Sequence, residues 1–188
     1  MARKVRRGSA TDPRVVGSVL AVVDDSLTHL DAEGRARMVD VADKPPTRRW
    51  ARARARVRMD RTTVDLILRG AVEKGDVIAV ARIAGIQAAK ATSALLPLCH
   101  PISIASVEVD VRPRTDEPSV EVESHVVAVD RTGPEMEALA AAAGAALCVV
   151  DMCKAVDRSM VVEGLEITEK GGGRSGRLVR RDGRLEPA

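Results

Sequence analysis

The chain contains no phenylalanine, no tyrosine and a single tryptophan, Trp50, in 188 residues. That near-absence of large rings decides what its core can be made of. Hydrophobic residues still make up 45% of the sequence, an ordinary share for a globular chain. The interior must therefore be assembled from Val, Ala, Leu and Ile. Alanine fills little space, so elements faced with it have to approach closely. The same deficit argues against functions built on aromatic platforms, such as base-stacking readers of single-stranded nucleic acid.

Length sets the expectation of one principal domain. Lys and Arg total 30 and Asp and Glu 27, for a formal net charge of +3. The surplus is concentrated in residues 1–8 and from Lys170 onward, which leaves the middle net acidic. No nucleic-acid partner is expected of such a domain. Cys99, Cys148 and Cys153 form no CxxC pair, and an odd count suits a reducing, cytoplasmic setting. Arg6 and Arg7 precede an apolar run at 15–23, yet Pro13 and Arg14 interrupt its approach and no small-residue cleavage site follows. Export is not expected. Arg82 and Lys90 interrupt the longest apolar candidate for a membrane span, so no membrane association is expected either.

Periodicity organises the rest. A short strand is expected at 15–23. From Arg49, Arg52, Arg54, Arg56 and Arg58 alternate with Ala51, Ala53, Ala55, Val57 and Met59, which is the period of a strand with an arginine face and a small apolar face. The arginine face reads as a solvated surface or subunit contact in preference to a nucleic-acid stripe. Asp60 is placed to cap a helix over 61–69, ended by Gly70. Asp76 is a second N-cap, for a helix over 77–95 that is apolar nearly all round and stopped by Pro97. Such a helix is expected to be buried on most sides, in the domain or between subunits. Residues 104–112 and 120–130 alternate as an antiparallel hairpin. A long helix over 134–156, roughly 34 Å if unbroken, leads to a strand at 160–168. The predicted class is α+β, an antiparallel sheet with helices packed on one face. Its expected parts are an N-terminal extension (1–26), a domain (27–176) and a polar C-terminal tail (177–188).

Four segments place polar groups in apolar surroundings. Lys74 precedes a helix N-terminus, where N–H groups and the dipole favour an anion, although a loop lysine needs no function. His100, between a helix and a strand, is a proton-transfer candidate or a structural histidine. Thr132 and Glu135 match a capping box, which accounts for Glu135 and leaves Glu137 unexplained. Asp151 and Lys154 share a helix face; they read as a surface ion pair or as an acid and base shifting each other's pKa. No metal-ligand spacing is present. Glu135 and Asp151 lie about 24 Å apart along a straight helix. One small substrate reaches both only if the helix breaks, for instance near Gly144, or if a second subunit completes the site. An oligomer with interfacial sites is expected.

Several ordered motifs go further. They are Met38-Val39-Asp40-Val41, Lys74-Gly75-Asp76-Val77, Ala81-Arg82-Ile83-Ala84-Gly85-Ile86, Pro97-Leu98-Cys99-His100-Pro101, Ser106-Val107-Glu108-Val109, Glu135-Met136-Glu137-Ala138-Leu139 and Asp151-Met152-Cys153-Lys154-Ala155-Val156. Together, from about residue 27 to 176, they closely resemble the MoaC family, the cyclic pyranopterin monophosphate synthases of molybdenum-cofactor biosynthesis. The resemblance implies a ferredoxin-like subunit, assembled as dimers into a hexamer with sites between subunits. It implies a small-molecule nucleotide substrate, 3′,8-cyclo-7,8-dihydroguanosine 5′-triphosphate, converted to cyclic pyranopterin monophosphate with release of diphosphate.

Carried over by position, the resemblance makes Asp151 the catalytic acid/base and Lys154 its partner, with Lys74 beside them. It puts Leu98, Cys99, His100, Glu135, Met136 and Glu137 in the substrate site and makes Arg49 a phosphate ligand. No redox cofactor is implied. Mg²⁺ is compatible with the triphosphate, though no protein ligand for it is recognisable. Pro134, Val149-Val150, Gly171 and Arg174 depart from the family pattern. A paralogue that binds the nucleotide without turnover is the alternative reading, and a basic-tailed nucleic-acid binder a third.

Overall fold

The computed structural model describes residues 33–188. The expected strand at 15–23 and the extension at 1–26 lie outside the described residues. The chain divides into two units, Met1–Val39 and Asp40–Ala188. In the first, Arg35 pairs with Glu33 at 3.3 Å. All that follows concerns the second.

The alternating segment forms β1 (Thr47–Arg58). Its small residues, Ala51, Ala53, Ala55 and Val57, are buried, while its arginines other than Arg49 face outward in the two-residue period of a strand. β1 pairs antiparallel with β3 (Ser119–Asp130) on one side and β4 (Val161–Gly171) on the other. β2 (Ile104–Arg114) completes the expected hairpin with β3. Residues beyond Gly176, polar in composition, form two further strands, β5 (Leu178–Arg181) and β6 (Arg184–Pro187), giving one antiparallel sheet of order β2-β3-β1-β4-β5-β6. Asp182 and Gly183, both at positive φ, make the two-residue turn between them, the arrangement that matches strand twist in tight hairpins.

Helices cover one face of the sheet. α4 (Glu135–Cys153) buries Ala138, Ala141, Ala142, Ala145, Ala146 and Val149 at the three- and four-residue spacing of a helical stripe. Alanine on the helix therefore meets alanine on β1. The buried Ser124 hydroxyl of β3 donates to the Ala138 carbonyl at 2.7 Å. α4 is long and apolar enough to cross a membrane by length and composition, which the expectation drawn from Arg82 and Lys90 overlooked. Here it is the core helix.

α2 (Val77–Lys90) packs against α4 through glycine. A Cβ on Gly85 would lie 2.8 Å from the Ala141 carbonyl oxygen, and one on Gly144 would lie 2.5 Å from Ala88 Cβ. The alanine-rich composition thus gives closely approaching helices, as expected. α2 buries only Val77, Ala81, Gly85 and Ala89, and Val80 and Ile83 on its other side are exposed within the single chain.

Three local expectations are corrected. The helix over 77–95 is interrupted at Ala91, followed by the short α3 (Thr92–Leu95). The buried Thr92 hydroxyl donates to the Ala89 carbonyl at 2.9 Å and so satisfies a group that a continuing helix would have bonded. Asp60 precedes α1 (Arg61–Leu68) without a side-chain cap. The buried Asp157 instead anchors the entry to the helix: its Oδ2 accepts from the Asp60 N–H at 2.8 Å and the Thr63 hydroxyl at 3.3 Å. The Thr132–Glu135 capping box does not form. Pro134 is the N-cap of α4 and supplies no side-chain bond.

Candidate active site

The predicted residues gather at the two ends of α4. At its C-terminal end, Asp151 receives two ammonium groups. Lys154 Nζ donates to Oδ1 at 2.6 Å, and Lys74 Nζ donates to Oδ2 at 2.9 Å and to the Asp151 carbonyl at 2.9 Å. Lys74 arrives from the loop between α1 and α2, where Gly75 turns the chain at φ +99°. At the α2 N-terminus the Asp76 carboxylate caps the helix as expected, accepting the Ala79 N–H at 3.0 Å, while Lys74 turns to Asp151.

Hydrogen bonds from Lys154 and then Lys74, reinforced by their charges, hold the Asp151 carboxyl down at about 2. It is ionised throughout the neutral range, the state a proton acceptor needs, although the two lysines that keep it charged also make it a weak base. The cluster is open to solvent rather than emerging from packed surroundings: Asp151 is 58% exposed. One carboxylate between two ammonium groups leaves a net positive charge beside a base.

At the N-terminal end, Glu135 accepts a hydrogen bond from Lys170 Nζ at 2.7 Å. This pairing replaces the capping box. Two residues along, Glu137 is only 2% exposed. The Cys99 thiol, 3.7 Å away, donates to its Oε1 and brings the Leu98-Cys99-His100 loop against the helix start. Burial, with a further push from Glu135, raises the Glu137 pKa although the thiol opposes it. Burial and then the Glu137 charge raise the Cys99 thiol as well. Leu98 and Met136 are both exposed beside this group.

Arg49 lies on the helix side of β1, its Nε donating to the Asp130 carbonyl at 3.2 Å. Its guanidinium sits against Gly173, in the turn that follows Lys170. Gly172 has φ +92°, and a Cβ there would collide with the Arg48 carbonyl. This glycine is needed for the chain to pass β1.

Lys170 escaped the sequence reading as a site residue. Its only sequence signal is the glycine run that follows it, and nothing local connects it to Glu135, 35 positions earlier. α4 is continuous through Gly144, so the two clusters stay about 24 Å apart along its axis. Among the described residues, no group of three or more His, Cys, Asp or Glu side chains is arranged to hold a metal ion.

A sequence model of the MoaC family matches residues 38–173. The chain belongs to the MoaC family. The MoaC match spans both clusters, from Arg49 to Lys170, and stops before β5. A cyclic pyranopterin monophosphate synthase of Thermomicrobium roseum is 56% identical over 156 residues, covering 83% of this chain and 94% of that protein. The protein of Mycobacterium tuberculosis named cyclic pyranopterin monophosphate synthase 3 is 51% identical over 165 residues, or 88% and 93% of the two chains. A cyclic pyranopterin monophosphate synthase of Heliobacterium modesticaldum is 51% identical over 158 residues, 84% of this chain and 99% of its own.

Proposed function

We propose that this MoaC protein is a cyclic pyranopterin monophosphate synthase, a lyase of molybdenum-cofactor biosynthesis. Its substrate would be 3′,8-cyclo-7,8-dihydroguanosine 5′-triphosphate and its products cyclic pyranopterin monophosphate and diphosphate. The observation that carries the reading is Asp151 held ionised between Lys74 and Lys154. Rearranging a guanine-derived skeleton requires several proton transfers, and an anionic base with ammonium donors on either side can perform them. In the cyclising step a ribose-derived hydroxyl attacks the α-phosphate. The new P–O bond forms as the bond to diphosphate breaks, the hydroxyl proton passes to the base, and the ammonium groups stabilise the developing charge.

Arg49 and Lys170 supply cations for the phosphates. Glu135, Met136, Glu137, Leu98, Cys99 and His100 form the same wall as Lys170. The separation of the two clusters supports a site shared between subunits, in which one chain's Asp151 end faces another's Glu135 end. The assembly is proposed as a hexamer of paired chains in the cytoplasm, where three free cysteines are suited to reducing conditions. Mg²⁺ would enter with the triphosphate and not as a resident ion.

The test is diphosphate release and pterin formation from the cyclic triphosphate by the purified protein, beside Asp151→Asn and Lys154→Ala. Loss of turnover by about 100- to 10,000-fold is expected, the range of a general acid–base group. Both side chains are exposed, so folding should survive. Parental activity in Asp151→Asn, or none in the parent, would refute the assignment.

A further inference from the structure

The face of the sheet opposite the helices carries the outward arginines of β1, and most are matched. Arg54 meets Glu166 at 2.6 Å, Arg56 meets Glu117 at 2.6 Å and Arg58 meets Glu163 at 3.6 Å. The matching fails at the other end of the row. Arg52 approaches Glu169 only to 3.9 Å, and that carboxylate is already engaged by Arg177. Arg48 has no carboxylate partner among the described residues. Three guanidinium groups therefore share one acid among the lining residues, a surplus of two charges there, with Glu108 beyond them, 3.8 Å from His125.

The surplus coincides with a concavity of about 280 Å³ lined by Arg48, Trp50, Arg52, His125, Glu169 and Arg177. Trp50 is fixed in it from two sides. Its ring meets His125 edge-on, with centroids 5.9 Å apart and planes at 79°, and it covers Gly171 so closely that a Cβ there would lie 2.5 Å away.

We propose that this concavity binds the diphosphate group of a small anionic ligand. Guanidinium forks pair in two-point fashion with phosphate oxygens, and a compact polyanion matches a surplus of two charges where a monocarboxylate would not. His125 fits the role. Burial and then the Arg52 charge hold its pKa down, with Glu108 acting in the opposite direction, so at neutral pH it adds polarity without a fourth cation.

The site is separate from the candidate active site. Residues alternate across a strand, so Arg48, Trp50 and Arg52 face one side while Arg49 faces the other. Glu169 and Lys170 divide in the same way. The inference does not depend on the proposed synthase activity.

Trp50 is the only tryptophan in the chain, so its fluorescence reports on this concavity. Inorganic diphosphate titrated into the full-length protein at constant ionic strength should change Trp50 emission saturably, where equal sulfate does not. Affinity should fall about tenfold in Arg48→Ala, the loss of one charge-assisted contact, and fall also in Arg177→Ala. It should be unchanged in Lys74→Ala, whose side chain belongs to the other site. GTP binding more tightly than diphosphate would identify a nucleotide as the source of the group, and equal affinity a free anion; both support the site. Absence of a saturable Trp50 response would overturn it, whatever heat of binding the active site contributes. So would an affinity indifferent to Arg48→Ala, or one lost only in Lys74→Ala.

Discussion

Two carboxylates on one helix have been driven in opposite directions. Asp151 is drawn down to about 2 by two lysines, whereas Glu137 is raised by burial. Environments that separate like groups in this way are how a site obtains distinct acid and base roles. The sign of the Glu137 effect is testable. Its folded pKa stands above its unfolded one, so at high pH the fold carries an ionised, desolvated carboxylate. Glu137→Gln should therefore melt above the parent at pH 8. The gap should close as pH falls through the raised pKa, and turnover should be lost; a variant that melts below the parent at pH 8 contradicts this. Asp157 is the reverse case. Burial opposes its charge, but hydrogen bonds from the Asp60 and Ser159 N–H groups and the Ser159 and Thr63 hydroxyls prevail and hold its pKa down. Its contribution to stability is present above the unfolded carboxyl value and lost as pH falls through the depressed one. Asp157→Asn should cost about 2–3 kcal/mol at pH 7, measured by urea denaturation. At Gly171 the Trp50 ring occupies the space a side chain would need.

At the level of elements, the α2–α4 contact is set by glycines. In an exposed helix, replacing Gly with Ala gains about 1 kcal/mol. At Gly144 the added methyl would meet Ala88 Cβ, and Gly144→Ala should instead destabilise by about 1–3 kcal/mol. A stabilised variant in urea denaturation would show the contact to be looser than described. This packing was readable in outline from composition, since a chain without large rings has to bring its helices close. β1, the β2–β3 hairpin and α4 were equally legible, because each announces itself within a dozen or so neighbouring residues. What escaped was set by distant partners. Asp60 looked like a cap, but the carboxylate that anchors the entry to α1 comes from Asp157; Glu135 looked like half of a capping box, but Lys170 claims it. The break at Ala91 depends on a single hydroxyl turning back on its own helix. The C-terminal hairpin is different: Asp182-Gly183 is a local turn signal, passed over because the surrounding residues are polar. Of the site, residue types and motifs were visible in the sequence, while their division between two ends of one helix required the fold.

For the whole molecule, the question is whether one chain suffices. Asp151→Asn and Glu135→Gln each leave one end of α4 intact. If sites are shared across a twofold interface, each mixed pair contains one site with both native ends. Dissociating and reassociating equal amounts of the two inactive variants should then restore about a quarter of parental turnover. No recovery, with exchange of subunits demonstrated, would place the whole site within one chain. The unbroken course of α4 has a last consequence. Its residue count acts as a ruler, holding the two half-sites at a spacing that no loop can adjust. One residue inserted between Leu139 and Leu147 would carry Asp151 about 1.5 Å further along the axis and swing it by about 100°. Variation in length is therefore open to the loops and the ends of this chain, and closed to the middle of this helix.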